Sequence, residues 1–389
     1  MASLRYISQA VCLFGIVLFI DWLDLGNWSS VHKKNHVLLR EEISVDAAKE
    51  EPFEKAMPTR GGHWEYDETK HSPYTFSAAV CNETYITIGD CTKTASSCPD
   101  NLMHWRYVTA DGKQYPKFNV AGFRSAMRNK RIVFVGDSTA RQQVQALIWT
   151  LGHREVIWFI YDPPFVLNEK ACKTQRYCMI DDIGNVTICY QSMGSMCTKM
   201  YREGNFTLVH SLRGFGDTSC LLYDKLTHKL IEFDLVFVQG ITWWQGLPRL
   251  LNSTTSPFDW VSELVPTVYK DAMGKLLSNL SGKTKTVLVL GQVGTECLNK
   301  TEPEEFDPDN IPALYGWSLA PKMWKALLKY LDEEKMDLQI VDARDPVMQS
   351  VHAHPWPDCL HFCMNSAAVN IYLDIYWNEV FSSYAATEH

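Results

Sequence analysis

The chain has 389 residues, 46% of them hydrophobic and 12% aromatic, enough to bury one large core or two small ones. Charged residues make up 21% and the formal net charge is −8. That balance excludes a basic nucleic-acid-binding face, and it is too mildly acidic to point to a cationic partner.

The first predicted element is a membrane anchor over residues 1–25. Arg5 precedes the apolar run "ISQAVCLFGIVLFI" (7–20), Trp22, Leu23 and Leu25 extend it, and acids follow in "DWLDLG". One basic residue before the run and acids after it place the N-terminus in the cytosol and the body in the lumen, as a single-pass type II protein. A cleaved signal peptide on a secreted protein is the alternative, although no small-x-small cleavage site stands out. Residues 26–62 are polar and charged with no steady apolar period, and read as a lumenal stem.

Asn-x-Ser/Thr acceptor sites occur at Asn27, Asn82, Asn185, Asn205, Asn252, Asn279 and Asn299. Together with 12 cysteines they form a secretory signature and make the chain an expected glycoprotein. Cys12 lies in the apolar run, so 11 cysteines remain, from Cys81 to Cys363. An odd number leaves at least one free or bridged to another chain, and the connectivity is not legible.

From His63 onward the sequence reads as one domain, 63–389, aromatic and cysteine-rich, with no internal repeat. "RIVFVG" (131–136) is a buried strand, followed by a helix over "STARQQVQALIWTL". "FDLVFVQG" (233–240) is a second strand. An amphipathic helix over 259–280 follows, with Pro266 as a possible break, then a third strand, "KTVLVLGQ" (285–292). A helix over 319–335 and a fourth strand, "LQIVDA" (338–343), complete the series. Strand–helix alternation with near-continuous apolar strands predicts an α/β fold on a parallel sheet covered on both faces. Such sheets carry their sites at the carboxyl ends of the strands, and Ser138 falls at such an end.

Ser138 has two readings. It is a helix N-cap, or a nucleophile whose own amide and helix N-terminus favour a developing oxyanion. A serine nucleophile needs a base and an orienting group. Asp358 and His361 in "WPDCLHFC" (356–363) supply the Asp-x-x-His of the chain, with both side chains able to point to one side. Here the cap and the nucleophile are expected to be the same residue, Ser138. Two other readings of the cluster stand open. His352, His354, Asp358, Cys359, His361 and Cys363 could ligate zinc, against which Cys-x-x-x-Cys is not a zinc-knuckle spacing. Or the segment is only a disulfide-stapled loop.

"KRIVFVGDSTARQQ", followed far downstream by "DCLHFC", resembles the PC-esterase branch of the SGNH/GDSL superfamily, whose best-known members are the trichome birefringence-like polysaccharide O-acetyltransferases. "GGHWEYDETKHSPYTFSAAVC" (61–81), "HWRYV" (104–108) and "FDLVFVQGITWW" (233–244) are similar to further family elements, so the resemblance spans about 63–385. It implies an SGNH-hydrolase-like three-layer sandwich with a central, mostly parallel sheet, stabilised by disulfides, behind a Golgi transmembrane anchor. It implies Ser138 as the acetylated nucleophile, His361 as general base and Asp358 as its orienting group. Asp137 and Arg141 lie in the nucleophile block. Oxyanion donors would be the Ser138 amide and groups around Gly214, Gln239 and Gly240. The sequence departs from the family pattern at Gln239, near where an asparagine is usual, and at "MNS" (364–366), where Leu-Pro-Gly is usual.

The expected activity is O-acetyl transfer to glycan hydroxyls through an acetyl-serine. The site needs no metal and no bound cofactor, and an acetyl donor, acetyl-CoA-derived or other, serves as co-substrate. The expected partners are a glycan acceptor and, through the anchor, a membrane; no nucleic acid is expected, and the oligomeric state is not legible. A carbohydrate acetylesterase using the same triad is the alternative, and a non-catalytic secretory glycoprotein the third. Trp243, Trp244 and Gln245 are either a sugar-stacking platform or core, and Trp64, Tyr66 and Trp105 carry the same ambiguity. "SGKTK" (281–285) is no P-loop, because position 277 is leucine rather than glycine.

Overall fold

The computed structural model describes residues 61–69, 100–152, 159–165, 174–192, 227–241, 258–291, 293–294, 300–305, 307, 318–354, 359–364 and 366–385. The anchor and stem expected over 1–25 and 26–62 lie almost wholly outside them; among the described residues no helix is long and apolar enough to cross a membrane.

Two short strands, β1 (His63–Tyr66) and β2 (Trp105–Val108), pair antiparallel. Helix α1 (Val120–Ala126) precedes β3 (Arg131–Gly136), and α2 (Ser138–Thr150) follows it. Then come β4 (Phe159–Phe165), β5 (Thr174–Asp181), β6 (Val186–Ser192) and β7 (Leu235–Val238). Helix α3 (Phe258–Leu280) leads to β8 (Lys285–Leu290), and α4 (Ala320–Glu333) to β9 (Gln339–Asp342). The chain ends in α5 (Arg344–Met348), α6 (Ala367–Tyr376), a π-helical turn over Trp377–Phe381, and α7 (Ser382–Ala385).

Among the described residues the main sheet has seven strands in the order β4-β5-β6-β3-β7-β8-β9. Strands β6, β3, β7, β8 and β9 run parallel, whereas β4, β5 and β6 form an antiparallel meander. The α/β expectation with a mostly parallel sheet therefore holds, with an antiparallel edge. Pro163 and Pro164 fall in β4, the edge strand, where a missing N–H interrupts no interior ladder. Cys178 and Cys189, directly opposite across β5 and β6, form a disulfide. Pro266 lies inside a continuous α3 and does not divide it.

The central strands β3, β7 and β8 are buried along nearly their whole length and carry long apolar runs, because they are covered by the rest of the domain. Phe134 and Phe237, in register on β3 and β7, stack with centroids 4.4 Å apart. Tyr376 and Phe381, from α6 and the π turn, close over Phe237 at 4.8 and 5.7 Å. On α4, Met323, Trp324, Leu327 and Leu331 make the buried stripe of an amphipathic helix. Helix α2 is different: every residue from Thr139 to Ile148 is buried except Arg141. Its glutamines therefore need internal partners.

Strand order fixes where a site can lie. From β3 the chain moves to β6 on one side, and from β7 it moves to β8 and β9 on the other. The direction of winding reverses between β3 and β7, which opens a crevice at their carboxyl ends. Ser138 follows β3 by two residues, and Gln239 and Gly240 follow β7 directly.

Candidate active site

The turn from β3 into α2 is built for close approach. A Cβ on Gly136 would lie 2.3 Å from the Gln239 carbonyl oxygen and 2.7 Å from Ala140 Cβ, so only glycine lets β3, β7 and α2 meet here. The Tyr190 hydroxyl, from β6, lies 3.2 Å from the Gly136 carbonyl and 3.1 Å from that of Asp137, and holds the turn from the other side.

Asp137, not Ser138, is the N-cap. Its backbone is extended, and its carboxylate accepts from the Thr139 amide at 2.9 Å and the Thr139 hydroxyl at 2.6 Å. This corrects the expectation that Ser138 caps its own helix. A capping side chain is engaged by the backbone; with Asp137 in that role, the Ser138 hydroxyl is free for another partner. Asp137 is 3% exposed.

The partner of Ser138 is His361. Its Nε2 lies 2.6 Å from Ser138 Oγ, across 223 residues of sequence. The contact has the geometry in which a histidine nitrogen removes a serine proton. Both side chains are half-buried, open enough for a reactant to reach them. The Ser138 amide, in the first turn, has no intrahelical carbonyl to bond. Asp358 and Gly214 lie outside the described residues, as do Trp243, Trp244 and Gln245.

Gln239 takes a different place from an oxyanion donor. Its Nε2 donates to Thr139 Oγ1 at 2.9 Å, and its Oε1 accepts from Gln143 Nε2 at 2.6 Å. Gln143 Oε1 in turn accepts from the Tyr376 hydroxyl at 2.6 Å. All four are buried, so the glutamine after β7 belongs to a polar chain beneath the nucleophile turn rather than to the reacting face. Gly240 sits beside it, buried at the end of β7. Arg141 shares with Ser138 the accessible side of the first turn of α2, and among the described residues its buried Nε has no hydrogen-bond partner.

The remaining members of the C-terminal cluster have structural partners. His354 Nδ1 lies 2.8 Å from the His361 carbonyl, to which it donates, and its ring packs 4.6 Å from Phe362. His352 is buried against Trp105, at 4.9 Å, and Trp64, at 6.4 Å. Burial, with His354 adding a smaller contribution, pushes its pKa down to about 4, so the ring is neutral. Cys359 and Cys363 are both disulfide-bonded. Sulfurs in disulfides are not thiolate ligands, which removes the zinc reading's two strongest donors. Trp64 is core: it is 7% exposed and donates from Nε1 to the Pro346 carbonyl at 2.9 Å, whereas Tyr66 is exposed and Trp105 half-buried. Of the acceptor sites for glycan, Asn185 lies on the exposed β5–β6 turn, and Asn279, on α3, keeps its Nδ2 buried; Asn27, Asn82, Asn205, Asn252 and Asn299 lie outside the described residues.

Sequence reasoning passed over Gln142, Gln143 and Tyr190. The signal for the glutamines is their place: two consecutive amides on a helix whose spacing buries both sides cannot be left unpaired.

Residues 115–248 match the PC-esterase family, described as a GDSL/SGNH-like acyl-esterase family found in Pmr5 and Cas1p. Xylan O-acetyltransferase 12 of Oryza sativa subsp. japonica is 33% identical over 92 residues, 24% of this chain and 17% of the relative. Xyloglucan O-acetyltransferase 2 of Arabidopsis thaliana is 36% identical over 103 residues, 26% of this chain and 23% of the relative. The chain thus spans about a fifth of the length of these curated relatives. Among solved structures, Est24, a carbohydrate acetylesterase from Sinorhizobium meliloti, is 13% identical with a TM-score of 0.26, covering 67% of this chain and 98% of that one. The family match contains Ser138 and ends before His361, so the histidine joins the site through the fold. Over residues 115–248, about a third of its length, the chain is thus similar to the PC-esterase family.

Proposed function

We propose that this chain is an O-acetyltransferase that moves an acetyl group to glycan hydroxyls through an acetyl-serine. The observation that carries the reading is the 2.6 Å contact between His361 Nε2 and Ser138 Oγ. In the first half-reaction Oγ attacks the carbonyl carbon of an acetyl donor as Nε2 takes the hydroxyl proton. The tetrahedral oxyanion faces the Ser138 amide, with the Gly240 region and the Gly214 block as further donors. Collapse breaks the bond to the donor's leaving group, which departs with the proton from His361. In the second half-reaction a glycan hydroxyl gives its proton to Nε2 and attacks the acetyl carbon, and Ser138 leaves reprotonated. Asp358 is the orienting carboxylate for His361, and Arg141 faces the bound reactants. No bound cofactor takes part; the acetyl donor is a co-substrate.

The rest of the proposal concerns the setting. An SGNH-like layered domain projects into the Golgi lumen from a type II anchor over 1–25 and a stem over 26–62, with glycans on exposed acceptor asparagines. The glycan acceptor is supported by relatives named for acetylating xylan and xyloglucan.

The test incubates the purified full chain with an acetyl donor and a panel of glycans, and follows both by mass spectrometry. Transfer predicts a mass gain of one acetyl group on a glycan, lost in Ser138→Ala and in His361→Ala. Free acetate with no glycan product would replace the proposal with hydrolysis at the same site. Full transfer by Ser138→Ala would overturn the nucleophile.

A further inference from the structure

We propose that Gln142 is a positioning residue for His361: its side-chain amide grips the backbone of Phe362 and so fixes the base at hydrogen-bond distance from Ser138. Gln142 Nε2 donates to the Phe362 carbonyl at 2.9 Å, and the Phe362 amide donates to Gln142 Oε1 at 3.1 Å. One side chain thus does for Phe362 what a neighbouring strand would do, with both bonds formed away from water. Gln142 is 8% exposed and Phe362 1%, so neither bond has solvent as a substitute.

The origin of the grip matters more than its strength. Gln142 lies four residues after Ser138 on the same helix, hence one turn along the same face. The residue it holds is the immediate neighbour of His361. Nucleophile and base, 223 residues apart in sequence, are therefore referred to one rigid element. The other side of the segment is held independently: His354 donates to the His361 carbonyl at 2.8 Å, and the Cys363 amide to the Ala353 carbonyl at 2.8 Å. The Cys363 carbonyl accepts from the Ser366 amide at 3.0 Å. Among these bonds, Gln142 ties the segment to the nucleophile's helix, whereas those of His354, Ala353 and Ser366 tie it to its own C-terminal neighbourhood. Releasing it lets the ring drift relative to Ser138 while the segment stays attached to the fold. Misplacement on the order of 1 Å between reacting groups costs rates up to about 100-fold.

The inference rests on the Ser138–His361 reading, so the experiment separates the two. The full chain reacts with a fluorophosphonate probe: Ser138 Oγ forms a bond to phosphorus, fluoride leaves, and His361 accepts the hydroxyl proton. Rate and probe saturation are measured well below the melting temperature. Gln142→Met keeps the length but removes both hydrogen bonds to Phe362, together with the donation from Nε2 to Met364 Sδ at 3.6 Å; Gln142→Ala removes the side chain; Gln142→Glu keeps only the acceptor. The expected result is labelling slowed about 10- to 100-fold in the Met and Ala variants, with half-saturating probe concentration changed by less than about threefold and Glu intermediate. Wild-type labelling in any folded one of these variants overturns the positioning role, whatever its melting temperature. If Met and Ala fail to fold, Glu carries the same test. A wild-type chain that does not label, or a His361→Ala variant that labels at the wild-type rate, would overturn the site itself instead.

Discussion

Gln239 Nε2 donates to the Thr139 hydroxyl at 2.9 Å, which ties the end of β7 to the second residue of the nucleophile's helix. The same amide accepts from Gln143, one helical turn further on. The crevice between β3 and β7 is thus floored by a hydrogen-bonded chain running from Asp137 through Thr139, Gln239 and Gln143 to Tyr376. Fully partnered, such a chain makes a rigid base for Ser138; broken, it leaves buried amides without water.

Gln239→Leu is expected to destabilise the domain by about 1–3 kcal/mol, because it strands the Gln143 amide in the core. Chemical denaturation measures the loss. A double variant in which Gln143 is also made apolar should recover part of it, since removing both partners is cheaper than removing one. An unchanged denaturation midpoint in Gln239→Leu would show that the chain contributes nothing.

Gly136→Ala is expected to be more damaging than a usual glycine-to-alanine change. The new methyl would meet the backbone oxygen of Gln239 at 2.3 Å, and a backbone oxygen cannot rotate away as a side chain can. Overpacking of this kind costs about 1–3 kcal/mol or more. The separation of β3 from β7 should also slow probe labelling of Ser138, and normal stability with normal labelling would contradict the contact.

The Arg124–Asp181 pair braces the far end of the same layer. Arg124 Nη2 and Nε reach the two carboxylate oxygens at 2.7 and 3.0 Å, and Nη2 also donates to the Leu151 carbonyl at the end of α2. Asp181 is fully buried. Arg124→Met should cost about 3–5 kcal/mol by leaving that charge uncompensated, and adding Asp181→Leu should restore much of the loss. Thermal and urea unfolding of the two variants decide the point.

His352 predicts an acid-side loss of stability. Its folded pKa, about 4, lies below the ordinary value of 6.5, so between those values the unfolded chain binds a proton that the folded chain refuses. Stability is then complete above about pH 6.5 and falls as the pH drops towards 4, by roughly 3 kcal/mol in all. His352→Phe, which keeps a ring against Trp105 and Trp64, should flatten this part of the profile. Equal slopes for the two proteins between pH 6.5 and 4 would count against it.

Glu379 predicts the opposite sign. Burial, then the nearby Asp342, push its carboxyl up to about 7 from an ordinary 4.5. The folded chain holds this proton through a window in which the unfolded chain has lost it, so stability present below about pH 4.5 declines as the pH rises to about 7. Glu379→Gln should melt higher than wild type at pH 8 and nearly the same at pH 4.5. A lower melting temperature for the variant at pH 8 would refute the assignment.

The sequence by itself determined the parallel core, because strands buried on both faces read as unbroken apolar runs and helices as 3.6-residue periods. β3, β7 and β8 and helices α2, α3 and α4 are legible that way, and β9, only partly buried, by its place in the strand–helix alternation. So were Ser138 and His361 as a pair, through a Gly-Asp-Ser turn and a lone Asp-x-x-His. The meander of β4, β5 and β6 was not legible. Its two prolines, its charged residues and its exposed Ile180 blur any period, and its strands are placed by pairing with chain neighbours. The cap of α2 was read as Ser138, because Asp and Ser are both good caps; only the bonds that Thr139 gives to the Asp137 carboxylate show that Asp137 holds that place. The glutamines were the largest gap: an amide on a helix reads as surface until something covers it. Only the tertiary structure decides that Gln142 faces Phe362 and that Gln143 faces Gln239, because each bond joins segments about 100 to 220 residues apart, and no local pattern encodes a contact of that range.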